Sequence, residues 1–118
     1  MTASIRDMVT EIRNELRDHP PADAMSCSEY LVRLSAIYGS VNDEMGRTEA
    51  LHHQNMAYML DTDPTVGVEK LKIKAQALPA YTELQTAKRL SELVKTLIAG
   101  LKYRATALGD EFRQSGHQ

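Results

Sequence analysis

The chain has 118 residues, of which 42% are hydrophobic and 25% charged, with a formal net charge of −2 at pH 7, so it suits one folded domain, residues 1–118, rather than a disordered chain. No apolar run approaches the roughly 18 residues that a membrane-spanning helix requires, and the first residues lack the pattern of a signal peptide. The single cysteine, Cys27, excludes a disulfide within the chain, and we therefore expect a cytoplasmic protein without a membrane partner.

The first predicted element is a helix over residues 4–18, with Ser4 as its N-cap. Its apolar residues recur at three- and four-residue spacing, which is typical of one buried helix face: Ile5, Met8, Val9, Ile12 and Leu16. Two prolines, Pro20 and Pro21, end this helix, and residues 19–26 are predicted to form a loop.

A second, long helix is predicted over residues 27–60, with a capping box that starts at Ser26. Its buried face is expected to hold five larger side chains: Leu31, Leu34, Tyr38, Val41 and Met45. Another side of the same helix carries small residues, among them Ser35, Gly39 and Gly46. Because glycine destabilises a helix, the two glycines indicate either a bend or close packing against another helix, and we favour close packing, within the bundle or between subunits.

The buried face of the second helix becomes polar beyond Met45. The same three- and four-residue spacing continues onto Thr48, His52 and Asn55. Two interpretations stay open. Either a polar layer lies inside the bundle and fixes the helix register, or the register shifts and apolar neighbours take over the buried face, namely Leu51, Met56 and Leu60.

A third, short helix is predicted over residues 64–78. Asp63 is its expected N-cap, and Pro64 suits the first helical position. Its apolar face is formed by Val68, Leu71, Ala75 and Leu78. Pro79 then separates this helix from the next one.

The fourth helix is predicted over residues 79–115, and residues 115–118 are expected to fray. It carries a seven-residue repeat that is apolar at every place but one: Leu84, Ala87, Ser91, Val94, Ile98, Leu101, Ala105, Leu108 and Phe112. Such a sustained repeat is typical of a long helix that packs along another long helix.

These elements predict an all-α fold, an antiparallel helical bundle built on two long helices (27–60 and 79–115) with two shorter helices (4–18 and 64–78) packed on them. The short helices cannot cover both flanks of the long ones, and we therefore predict a homodimer or higher oligomer. The candidate contact residues are Ser35, Gly39, Gly46 and Gly100.

Charge is distributed unevenly along the chain. Residues 1–61 carry five Arg and Lys against ten Asp and Glu, whereas residues 62–118 carry nine against six. The fourth helix contains a group that we call the basic stripe: Lys88, Arg89, Lys95, Lys102, Tyr103 and Arg104. Such a stripe suits nucleic acid, because cations neutralise phosphates and tyrosines stack on bases. Equally, its lysines could cover apolar surface and pair with acids of the second helix, namely Asp43, Glu44 and Glu49.

Little in the sequence indicates catalysis. Glu49 and His52 match the Glu-x-x-His spacing of carboxylate-bridged di-metal bundles, but such a site needs a second pair and two further glutamates. Glycine-rich phosphate loops, a nucleophile elbow and paired-cysteine motifs are absent from the sequence. We therefore expect no catalytic residues, no metal and no cofactor. A metal-dependent enzyme around Glu49 and His52 is the second alternative.

Three segments carry a resemblance to known proteins: Glu29-Tyr-Leu-Val-Arg-Leu, Lys72-Ile-Lys-Ala and Leu97-Ile-Ala-Gly-Leu-Lys-Tyr-Arg. Over about residues 28–115 the chain resembles small all-helical proteins encoded by tailed phages and prophages. This resemblance implies a non-catalytic, stoichiometric binder in a bacterial cytoplasm, which would bind a protein partner as an inhibitor of host defence. The alternative that it implies is a nucleic-acid-binding accessory protein of a replication or recombination module. It implies no site residues.

Overall fold

The computed structural model of the chain describes residues 2–116, and the side chains of residues 4–111 and of Arg113. Within residues 2–116 the secondary structure consists of four helices and contains no strand. They are α1 (Thr2–Asp18), α2 (Ala24–Thr62), α3 (Val68–Gln76) and α4 (Pro79–Gly116). The predicted all-α bundle on two long helices is confirmed. None of the described helices is both long and apolar enough to cross a membrane.

The two long helices, α2 and α4, pack along each other in opposite directions. The two helices are antiparallel, so a contact further along α2 involves an earlier residue of α4. Arg47 lies beside Glu83, and the rings of His52 and Tyr81 lie 5.3 Å apart. Both α1 and α3 contact both long helices, and the molecule measures 75 × 23 × 18 Å.

The hydrophobic core is concentrated where α1 joins the pair of long helices. Val9 of α1, Leu34 of α2 and Val94 of α4 are each fully buried, at 0% exposure. Burying one such side chain stabilises the fold by about 1.5–3 kcal/mol. Because α1 spans only part of the length of α2, the remaining length depends on contacts between α2 and α4 and on the short α3.

The seven-residue repeat of α4 lies on its buried side. Five of its residues are buried, namely Leu84, Ala87, Ser91, Val94 and Leu101. Three more are half-buried, namely Ile98, Ala105 and Leu108. The side chain of Phe112, the last residue of the repeat, lies outside the described residues.

The helix starts were predicted less well than the helices themselves. Helix α1 begins at Thr2, so Ser4 lies inside it and the predicted cap is wrong. Helix α2 begins at Ala24, where the side chain of Asp23 accepts a hydrogen bond of 2.7 Å from the backbone N–H of Ser26. The predicted capping box at Ser26 is therefore wrong, because this N–H is already satisfied by an earlier carboxylate.

The start of α3 was also placed too early. The backbone N–H of Asp63 donates to the carbonyl of Met59, so Asp63 closes α2. Its carboxylate accepts hydrogen bonds from the backbone N–H and the hydroxyl of Thr65. This tight turn contains Pro64, and the third helix begins only at Val68. Asp63 and Pro64 are thus turn residues rather than the first residues of a helix.

Candidate binding groove between the two long helices

Helix α1 covers only one edge of the seam between α2 and α4. On that edge, the hydroxyl of Tyr30 donates to Glu15 of α1 at 3.0 Å, and Arg33 forms an ion pair with Glu15 at 3.3 Å. On the α4 side, the guanidinium Nε of Arg104 donates to the carbonyl of Pro21, in the loop after α1. These contacts hold α1 against one edge of the seam along that stretch.

The opposite edge of the same seam is open. It forms a surface cavity of about 450 Å³ that we call the open groove, lined by Leu31, Ser35, Tyr38, Lys95, Ile98, Ala99 and Lys102. Leu31, Tyr38 and Ile98 are half-buried and form its floor, whereas Ser35, Ala99 and the two lysines are exposed. The groove is therefore apolar at its base and basic along its α4 side.

Lys95 keeps its charge in this setting. Glu92 lies 3.4 Å from the ammonium of Lys95 and, together with the Tyr38 side chain, raises the pKa of Lys95. At about 100° per residue, positions seven apart lie nearly above one another, about 10.5 Å apart. Lys88, Lys95 and Lys102 therefore form one column of cations along the same edge of α4.

The basic stripe does not form a single surface. Lys88, Lys95 and Lys102 share the edge beside the open groove, by the spacing just described. Arg104 lies on the opposite edge, where it bonds to the carbonyl of Pro21. Tyr103, at 80% exposure, projects from α4 into solvent. Of the six residues predicted to act together, two line the open groove.

Among the described residues, the glycines predicted to pack closely contact no other helix. Gly39, Gly46 and Gly100 are exposed, and a Cβ added to any of them would meet no described atom within 4 Å. The predicted close packing within the bundle is therefore wrong. Packing between subunits stays a prediction, and Ser35 instead lines the open groove.

The three residues predicted as a polar layer point towards the bundle interior to different extents. Thr48 is fully buried, and its hydroxyl donates to the carbonyl of Glu44 in the same helix at 2.9 Å. His52 and Asn55 are half-buried. The Nδ1 atom of His52 is buried and has no hydrogen-bond partner among the described atoms. Of the apolar residues in the alternative, Leu51 and Met56 are half-buried, like His52 and Asn55, whereas Leu60 is 45% exposed.

One interior polar residue was missed by the sequence analysis. Glu44 is only 3% exposed, and its carboxylate accepts two hydrogen bonds from Arg47, at 2.6 and 3.1 Å. Arg47 also lies 3.4 Å from Glu83 of α4, so it links the two long helices. A count started at Leu34 in steps of three and four would have reached Glu44 through Ile37 and Val41.

The described residues offer no constellation for metal binding. Glu49 is exposed and His52 is half-buried. Nowhere in the described part of the chain do three His, Cys, Asp or Glu side chains converge on a point that could hold a metal ion. Cys27 is fully buried in the first turn of α2, away from solvent.

Comparison with known proteins gives no match, whether to protein families, to characterised proteins or to solved structures. The resemblance to small phage proteins therefore stays a prediction. Function has to be argued from the open groove and from the charged surface beside it.

Proposed function

We propose that the protein is a non-catalytic binding protein that holds a protein partner in the open groove. The observation that carries this proposal is the uncovered seam between α2 and α4. Its floor consists of half-buried apolar side chains that no element among the described residues covers. Removing apolar surface from water contributes about 25 cal/mol per Å², so a partner that covers this floor gains binding free energy.

The shape of the groove favours a helix as the bound segment. Two packed helices present parallel rows of side chains, and a third helix fits between such rows. Helix α1 packs in this way on the other edge, where Ile12 is buried at 1% exposure. The open groove presents a comparable pair of rows without its third helix.

The proposed setting follows the phage resemblance. A stoichiometric binder encoded by a phage would bind a protein complex of its bacterial host in the cytoplasm and inhibit it. Such a protein needs a rigid, exposed binding surface and no catalytic group, which agrees with a groove built on two long helices.

Site-specific crosslinking tests the proposed function. A photocrosslinking amino acid replaces Ala99, an exposed residue of the groove, and a control variant carries it at Arg89 of the same helix. In the cells that make the protein, we expect discrete protein adducts at position 99 that are absent at position 89. Equal crosslinking at both positions, or none at position 99, would contradict the proposal.

Nucleic-acid binding is the second candidate function, and the exposure of the basic stripe supports it. Tyr103 is 80% exposed next to Lys102, which leaves its ring free to stack on a base. Titration with labelled single- and double-stranded DNA at two salt concentrations tests it. This candidate predicts binding that weakens steeply with salt and is lost in Lys95→Glu/Lys102→Glu. Absence of binding at low salt would remove it.

We also propose that the chain self-associates through the outer face of α2. Met25 and Val32 are 74% and 71% exposed, and they continue the seven-residue spacing of Gly39 and Gly46. Exposed apolar residues in one column are a common feature of helix–helix contacts between subunits. Light scattering at micromolar concentration should give the mass of a dimer or larger assembly, and a monomer would count against this proposal.

A further inference from the structure

We infer that the segment bound in the open groove is an amphipathic helix with acidic side chains along one edge only, the edge that faces α4. This inference rests on the proposed function and specifies its partner. It follows from the difference in charge between the α4 wall and the α2 wall of the groove.

The α4 wall of the groove carries a column of lysines, and one of them, Lys95, pairs with Glu92 of the same helix at 3.4 Å. Lys95 and Lys102 line the groove directly, and Lys88 continues their column by one further heptad. All three are exposed. A helix that lies parallel to α4 repeats its own side chains at the same interval of about 10.5 Å. Acidic residues seven apart on one edge of that helix would therefore meet successive lysines.

The α2 wall of the groove has a different character. The column on α2 that faces the stretch of the lysines consists of Ser28, Ser35 and Asn42, by the same seven-residue spacing. It contains no charged residue. A partner helix therefore has no reason to carry acids on its second edge, where neutral side chains fit. This asymmetry would fix which edge of the bound helix faces α4.

Two other occupants fit the groove less well. A second copy placed groove to groove would bring the lysine column against either its own counterpart or the wall of Ser28, Ser35 and Asn42, which offers no carboxylate. A nucleic acid would satisfy the lysines but would leave Leu31 and Ile98 without an apolar partner. An acidic amphipathic helix satisfies both the lysines and the apolar floor.

A selection experiment tests the inference separately from the proposed function. A displayed library contains helices of about 21 residues with fixed apolar a and d positions, and with Lys, Glu and Gln varied independently along each flanking edge. Binders are selected on the full chain. They are then counter-selected on Ser35→Tyr, which fills the exposed groove without changing its charge.

The selection has three outcomes. Enrichment of Glu on one edge only, lost on Ser35→Tyr, supports the inference. Enrichment that depends on the groove but favours Gln or Lys, or that favours Glu on both edges, overturns the inference and leaves the proposed function intact. Absence of any enrichment that depends on the groove contradicts both.

Charge reversal provides the second measurement, with an enriched peptide as the probe. Each exposed ion pair is expected to change affinity by about two- to five-fold, so Lys95→Glu/Lys102→Glu should weaken the peptide several-fold or more. Lys70→Glu/Lys72→Glu changes the net charge equally but lies on α3, and should leave the affinity unchanged. Equal weakening by both variants, or displacement of the peptide by a DNA duplex from the same groove, would overturn the inference.

Discussion

Glu44 is the residue whose surroundings differ most from what its chemistry alone would suggest. A carboxylate normally lies in water, yet Glu44 is 3% exposed beside Thr48, which is fully buried. It is tolerated there because Arg47, half exposed at 51%, donates two hydrogen bonds to it and reaches across to Glu83. The pair of Glu44 and Arg47 lies within α2, and the contact of Arg47 with Glu83 is the part of this network that joins α2 to α4.

Replacing Glu44 by Ala should therefore destabilise the fold. We expect the free energy of unfolding to fall by about 1–3 kcal/mol, the usual effect of breaking a buried hydrogen-bonded pair. Urea denaturation measures this change. Glu49→Ala, an exposed position on the same helix, is the matched control and should change stability by less than about 0.5 kcal/mol. A similar loss of stability in both variants would contradict the stabilising role that we assign to the buried carboxylate of Glu44.

Asp23 gives a pH-dependent prediction. Hydrogen bonds from the backbone and side chain of Ser26 lower the pKa of Asp23 below its ordinary value of 3.8. A carboxylate whose folded pKa is lowered stabilises the fold above its unfolded pKa, and this contribution disappears as the pH falls through the folded pKa. Asp23→Asn keeps the capping oxygen but cannot titrate.

We therefore expect the wild-type protein to have the higher melting temperature near pH 7, and the difference from Asp23→Asn to shrink below about pH 3.8 as Asp23 is protonated. Melting curves of both proteins between neutral and acid pH measure this difference. Asp7→Asn, an exposed residue within α1, serves as a control for general effects of charge. A difference from Asp23→Asn that stays constant across this range would contradict the assigned cap.

Among the elements, the helices were predictable, whereas the starts of α1, α2 and α3 were not. The apolar repeat of α4 spans many turns, so a single polar residue such as Ser91 does not hide it. A helix start depends on one or two residues, and the start of α2 was assigned from the sequence to Ser26 without considering Asp23, three residues earlier. Only the geometry shows that the Asp23 carboxylate takes the N–H of Ser26. The site was harder still to predict, because the open groove requires knowing which edge of the seam α1 covers.

The glycines of α2 allow a test of how that helix is covered. A Cβ at Gly46 would meet none of the described atoms within 4 Å, so Gly46→Ala should keep the contacts that the structure describes. Since alanine is the better helix former, the variant should be more stable than wild type by about 0.5–1 kcal/mol in dilute solution. Denaturation at low protein concentration measures the gain. Destabilisation at low protein concentration would mean that Gly46 packs against another part of the same chain.

At the scale of the whole molecule, the elongated shape follows from the imbalance between long and short helices. A molecule 75 Å long and 18–23 Å across has little interior, so much of the surface of α2 and α4 stays accessible. Where α1 packs on the seam the chain builds a core from its own residues. Where the seam is open, it leaves a groove with an apolar floor and a basic wall. Our proposal for the function is that a protein partner covers this groove.

The cysteine content of the chain makes a direct test of this claim possible. Cys27 is the only cysteine and is fully buried, so maleimide should react only with a cysteine that is introduced on the surface. Ala99→Cys places the probe in the open groove, and Arg89→Cys places it elsewhere on α4 as the control. The rate of maleimide labelling is measured for each variant in the purified protein and in the cells that make it. We predict that labelling at position 99 is several-fold slower in cells than in the purified protein, whereas labelling at position 89 is not slowed. If the ratio of the rate in cells to the rate in the purified protein is the same at both positions, a partner bound in the groove is contradicted.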